Sequence, residues 1–186
     1  MIKIKLKKAF NLDSTVTCGQ IFRFIKKEDS SYDIVLKDRV INVYRKEEFL
    51  YVSSNVEDNL KSVVEDYFDL NNDYDTMNEI LIKSDKKLEN AINFSKGLMM
   101  IRQDPFETII EYIISANNGV NQIANALNLI AEKYGKRVEF NNNTYYLFPQ
   151  YKDLKDIKEE DLRLCKVGFR DKYLKLVIDK INNGEL

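Results

Sequence analysis

Ile2, Ile4 and Leu6 alternate with lysines, the two-residue period of a half-buried strand. Val16, Phe22 and Phe24 fall in a β-branched and aromatic stretch that predicts further extended chain. Ile34-Val35-Leu36 and Val40-Ile41-Asn42-Val43-Tyr44 flank the polar Lys37-Asp38-Arg39, which predicts a hairpin with a charged tip. Leu50-Tyr51-Val52 adds one more strand. Several short strands without intervening helices predict an antiparallel sheet.

From Glu57 the period lengthens. Leu60, Val63, Val64, Tyr67 and Phe68 form one helical stripe, with Glu57 and Asp58 expected in its first turn. A sharper helix start is Asp104-Pro105-Phe106-Glu107. Asp104 can cap free amides, Pro105 suits the first helical position, and Glu107 completes the pattern of a capping box. Phe106, Ile109, Ile110, Ile113 and Ile114 then predict the buried face. Asn117-Asn118-Gly119 ends that helix, and a second runs through Val120, Ile123, Ala124, Leu127 and Tyr134 to Gly135. Residues 138–147 read as a turn with short extended arms. A last helix carries Leu174, Val177, Ile178 and Ile181, and Asn182-Asn183-Gly184 stops it. The expected fold class is α+β: a sheet domain with flanking helices over residues 1–100, packed with a helical part over 101–186.

Composition narrows the classes. The chain has 186 residues, 44% hydrophobic and 32% charged, as globular proteins do. Histidine is absent and the two cysteines, Cys18 and Cys165, stand far apart, so neither a Cys/His metal site nor a disulfide framework is expected. No apolar run approaches bilayer length and no signal-peptide core opens the chain, which points to a cytoplasmic protein. A net charge of −1 gives no global argument for nucleic acid. Residues 1–50 carry net +4 and residues 51–100 net −5, an asymmetry that fits a charged partner and a solvated surface equally well.

Four segments, in order, resemble the 8-oxoguanine DNA glycosylase family of helix-hairpin-helix glycosylases. They are Thr17-Cys18-Gly19-Gln20-Ile21-Phe22-Arg23-Phe24, Arg102-Gln103-Asp104-Pro105-Phe106-Glu107, Ser115-Ala116-Asn117-Asn118, and Val167-Gly168-Phe169-Arg170-Asp171-Lys172-Tyr173. The resemblance implies a twisted, TBP-like antiparallel sheet followed by a helical glycosylase domain. It also implies excision of 8-oxoguanine from duplex DNA in base-excision repair, with AP lyase activity. It calls for no cofactor and suggests a monomeric chain, nucleoid-associated in a bacterium.

Such enzymes act on a base taken out of the stack, at a cost of a few kcal/mol, so the vacated space must be filled. By resemblance Phe169 is the aromatic wedge beside the orphan cytosine. Arg170 is the arginine that hydrogen-bonds this base, a contact type worth about 1–3 kcal/mol of discrimination. Asn117 occupies the space left by the lesion. The Gly19 carbonyl accepts from the N7 hydrogen that 8-oxoguanine has and guanine lacks; a carbonyl never donates, so guanine would present lone pair to lone pair. Read without the family, Phe169 is a core aromatic, Arg170 a solvated helix-end arginine, Asn117 a helix C-cap and Gly19 a bulge or turn glycine.

Two positions depart from the family pattern. Gln122 stands where the family often has a second arginine facing the cytosine, and Gly119 interrupts the asparagine run. Looser opposite-base selection is the expectation. The family's chemistry also needs a hairpin with a Gly-x-Gly turn, a lysine nucleophile and an aspartate. None of the six glycines forms Gly-x-Gly, and no catalytic residue is assigned in this chain, which is expected to be inactive alone. Two other readings stay open: a damaged-DNA-binding module without catalysis, and a small α+β interaction protein.

Overall fold

Strand β1 (Ile2–Lys5) pairs antiparallel with β5 (Phe49–Ser54), Ile2 opposite Val52 and Lys5 opposite Phe49. The computed structural model describes residues 1–186 and places β1 at the edge of a five-stranded sheet in the order β1-β5-β4-β3-β2. The remaining strands are β2 (Phe24–Lys26), β3 (Tyr32–Val35) and β4 (Val40–Lys46). Period-two alternation buries Ile4, Val43, Leu50 and Val52, while Tyr44 and Tyr51 stack across β4 and β5 at 5.0 Å.

The chain separates into two compact units. The first comprises Met1–Asp33 and Ile41–Arg102; the second comprises Ile34–Val40 and Gln103–Leu186. The tip of the β3–β4 hairpin thus groups with the helical residues, not with the sheet from which it extends.

In the first unit, the expected strand around Val16 is instead α1 (Leu12–Thr17). Asn11 caps it, accepting from the Ser14 amide at 3.0 Å, and the helix buries Leu12, Thr15 and Val16. A good cap and a buried face outweigh the weak β preference of Thr and Val. α2 (Leu60–Tyr67) begins after Asn59, so Glu57 and Asp58 precede it instead of lying in its first turn. α3 (Tyr74–Ser84) and α4 (Glu89–Phe94) bury no side chain, and the apolar positions Met77, Ile80 and Leu81 of α3 and Phe94 of α4 are exposed. Asp73 starts α3, accepting from the Thr76 amide at 3.2 Å and pairing with Lys8 at 2.8 Å.

In the second unit, α5 (Pro105–Ser115) and α6 (Val120–Tyr134) are followed by the hairpin β6 (Arg137–Phe140) and β7 (Asn143–Tyr146). Val40 packs with Phe140, Tyr145 and Leu147, with Val35 and Val138 alongside. Gly135 permits the close passage of this hairpin, since a Cβ there would strike the Leu147 carbonyl. α7 (Glu159–Leu164) and α8 (Asp171–Asn182) complete the unit. α5 buries Phe106, Ile110 and Ile114 as expected, but Glu107 and Glu111 join them while Ile109 is 40% exposed. No helix is long and apolar enough to cross a membrane.

Candidate nucleic-acid interface

Two turns of the second unit meet through one side chain. α5 ends at Ser115, and Asn117 adopts a left-handed conformation (φ 52°) just beyond it, the geometry that closes many helices. The capping side chain, however, is that of Asn118, whose Nδ2 donates to the Ile114 carbonyl at 3.1 Å. Its Oδ1 accepts from the Gly119 amide at 3.0 Å. The Asn117 backbone makes the turn, and its side chain stays exposed.

The second turn links α7 to α8. Lys166 (φ 61°) and Gly168 (φ 63°) reverse the chain, and Gly168–Arg170 form one tight helical turn before α8. Phe169 is 59% exposed, so it is no core aromatic. Arg170 is 6% exposed, so it is no solvated arginine either. Its Nε donates to the Ala116 carbonyl at 3.0 Å and its Nη1 to the Val167 carbonyl at 3.1 Å. Its Nη2 donates to the Ala116 carbonyl and, at 3.0 Å, to that of Asn117. The guanidinium carbon lies 4.5 Å from the centroid of the Phe169 ring, within cation–π range.

Asp171 anchors this turn from the other side. It is 2% exposed and accepts from Arg163 Nε at 2.6 Å and from the Lys172 amide at 2.8 Å. Burial alone would raise its pKa, but the Lys172 amide and the Arg163 guanidinium together hold it below the ordinary carboxylate value.

Gln122 lies in the first turn of α6 with its side chain exposed. Its Oε1 occupies the space that a Cβ on residue 119 would fill. That oxygen is the free end of an exposed, flexible side chain, so a residue with a Cβ at 119 would only turn Gln122 aside.

Gly19 belongs to the first unit. It follows the end of α1 with φ 91°, in an exposed bend and not in a bulge between strands, and a Cβ there would meet nothing within 4 Å. Its neighbour Gln20 fixes the bend. Gln20 Nε2 donates to the Met99 carbonyl at 2.8 Å, and its Oε1 accepts from the Ile101 amide at 2.9 Å. The backbone of Gly19 is thus tethered while its surface stays open, which suits close approach of a ligand to the main chain.

Sequence reasoning missed the supporting residues. Gln20 and Asp171 lie inside the quoted segments and were there to be found. Arg163 and Asn118 gave no comparable signal, because their roles depend on a turn and a partner that local periodicity does not describe.

Residues 2–109 match the family described as 8-oxoguanine DNA glycosylase, N-terminal domain. A probable N-glycosylase/DNA lyase of Methanothermobacter thermautotrophicus is 30% identical over 136 residues, covering 62% of this chain and 43% of that protein. The apo 8-oxoguanine glycosylase/lyase of Clostridium acetobutylicum superposes with a TM-score of 0.93 at 36% identity, over 99% of this chain and 64% of that one. The same enzyme, crystallised with double-stranded DNA containing cytosine opposite 8-oxoguanine, gives a TM-score of 0.90 at 35% identity, over 100% of this chain and 67% of that one. The chain spans less than half the length of the archaeal relative and about two thirds of the clostridial structures. With the α+β fold, the segment order and these matches in agreement, the chain belongs to the 8-oxoguanine DNA glycosylase family.

Proposed function

We propose that this chain forms the lesion- and duplex-recognising portion of a base-excision DNA glycosylase/AP lyase acting on 8-oxoguanine in double-stranded DNA. The observation that carries the reading is Phe169, a large apolar ring 59% exposed on a tight turn whose neighbour, Arg170, is buried. An exposed aromatic held rigidly from below is what a wedge between base steps requires.

The roles divide as follows. Phe169 enters the stack, Asn117 fills the space the lesion leaves, Arg170 and Gln122 face the orphaned cytosine, and the Gly19 carbonyl tests for the N7 hydrogen of the lesion. Residues 1–100 serve as the sheet domain and 101–186 as part of the helical glycosylase domain. No residue of this chain is assigned to bond cleavage, and the chain alone does not excise. It acts as a monomer, without cofactor, in the cytoplasm, on chromosomal DNA.

Binding to a duplex carrying an abasic-site analogue or 8-oxoguanine, against undamaged duplex, tests this directly. Affinity for the damaged duplex that falls with salt supports the reading, since phosphate contacts release counterions. Equal affinity for damaged and undamaged DNA refutes lesion recognition. A covalent adduct after borohydride reduction on an 8-oxoguanine duplex refutes the assignment of no nucleophile here.

A further inference from the structure

Gly19 has no side chain, and the place where a Cβ would sit is open, so no packing of its own locates it. At φ 91° it lies where glycine moves freely, and a modest rotation of its backbone would swing the carbonyl in another direction. Whatever fixes that carbonyl must act from the flanking residues.

Two side chains, one on each side of Gly19, close on the same distant residue. Thr15 Oγ1 accepts from the Met99 amide at 3.2 Å, and Gln20 Nε2 donates to the Met99 carbonyl at 2.8 Å. Gln20 Oε1 also accepts from the Ile101 amide at 2.9 Å. Thr15 and Met99 are both buried. A carbonyl and an amide two residues apart need a donor and an acceptor side by side, which a primary amide supplies and a carboxylate does not.

The far side of this clamp is itself held. The Met100 amide donates to the Tyr74 hydroxyl at 3.0 Å, and that hydroxyl donates to Asp69 Oδ2 at 2.8 Å. Arg102 donates to Asp69 Oδ1 through Nε at 2.9 Å and Nη2 at 2.7 Å, and its amide donates to the Tyr67 carbonyl at 2.9 Å. The clamp is therefore anchored on a buried carboxylate.

We propose that Gln20, assisted by Thr15, is a positioning residue for lesion discrimination, holding the Gly19 carbonyl aimed at the N7 position of the base. This rests on the role of Gly19 in the proposed function and names what keeps that carbonyl in place. An acceptor already fixed gives up no conformational freedom when the lesion arrives. A carbonyl free to swing would also turn away from the N7 lone pair of guanine, and the repulsion that rejects the undamaged base would be lost.

The test is competition binding of duplexes with 8-oxoguanine or guanine opposite cytosine to the wild-type chain, Gln20→Ala and Gln20→Glu. Amide hydrogen exchange across residues 15–21 and 98–102 accompanies it. Gln20→Ala should cut the preference for 8-oxoguanine by roughly tenfold, the scale of one well-aligned hydrogen bond, and speed exchange in both segments. Gln20→Glu keeps the shape and the Ile101 contact but sets a carboxylate against the Met99 carbonyl. It should narrow the preference too, and it decides the matter if Gln20→Ala does not fold. A merely structural clamp would weaken both duplexes by the same factor and leave their ratio intact; that result, or unchanged exchange, overturns the inference. A wild-type chain without preference sinks the role of Gly19 and this inference with it. A wild-type preference that both variants keep sinks the inference alone.

Discussion

Lys37, at the tip of the β3–β4 hairpin, sets its ammonium 2.7 Å from the carboxylate of Asp104, the residue that caps α5. Asp104 Oδ1 accepts from the Phe106 and Glu107 amides at 3.1 and 3.2 Å, while Oδ2 takes the lysine. Asp104→Ala removes cap and ion pair together and should lower stability by about 1–2 kcal/mol. Lys37→Ala should cost under about 1 kcal/mol, because the lysine is more than half exposed. Asp104→Asn should behave nearly like Lys37→Ala. Thermal unfolding of the three variants checks the order; equal losses for Asp104→Ala and Lys37→Ala would show that the cap contributes nothing.

Phe169 should separate stability from binding. Being 59% exposed, its replacement by alanine should change unfolding free energy by roughly 0.5 kcal/mol or less. Affinity for a duplex with an abasic-site analogue should fall, while affinity for intact duplex stays near the wild-type value. Melting curves and fluorescence anisotropy on the same samples decide, and a destabilised variant with unaltered DNA binding would make Phe169 a structural residue.

Opposite-base selectivity should respond to Gln122. Gln122→Arg supplies charge and a forked donor, and preference for cytosine should rise by about 1–3 kcal/mol. Gly119→Asn adds a side chain beside the exposed, flexible end of Gln122, which can turn aside, so that variant alone should leave selectivity near the wild-type value. Affinity for duplexes with an abasic-site analogue opposite C, A, G or T measures both. Uniform gains against every opposite base would indicate added phosphate attraction only.

Gly19 sits at φ 91° with open space where a side chain would go. Gly19→Ala therefore meets no clash, and its cost is that of the left-handed backbone, on the order of 1–2 kcal/mol. If the carbonyl reads the lesion, the substitution should narrow the difference in affinity between 8-oxoguanine and guanine duplexes. Competition binding measures that difference; one that survives intact would remove Gly19 from lesion recognition.

Acid should weaken the start of α3. Hydrogen bonds from Lys8, then from the Thr76 amide and hydroxyl, lower the Asp73 pKa from 3.8 to about 2. A folded pKa below the unfolded one gives stability that is present above the unfolded value and disappears as pH falls toward about 2. Asp73→Asn keeps a capping oxygen but cannot ionise. Its melting temperature should fall less steeply than wild type between about pH 4 and pH 2. Parallel slopes would show that Asp73 has no part in the acid response.

The sheet was readable because its residues alternate, and α5 because Asp104 and Pro105 mark its first turn. α1 was misjudged because Thr15, Val16 and Thr17 resemble strand residues when the Asn11 cap is overlooked. α3 carries Met77, Ile80 and Leu81 at i, i+3 and i+4, a helical period that was passed over, and the structure leaves all three exposed. Of the candidate site, the sequence marked the residues, through ordered segments, but not their environments.

The sequence alone determined the α+β class, since periodicity, caps and turn residues act over a few neighbouring positions, and four ordered segments carried its resemblance to the family. It also brought Gly19, Asn117, Gln122, Phe169 and Arg170 to notice. Tertiary structure decided which of these face solvent and which are engaged. Arg170 and Phe169 are adjacent in the chain, yet one is buried against carbonyls more than fifty residues earlier and the other is open. Hydrogen-bond partners and solvent access depend on which distant segments fold together, and that information is not local.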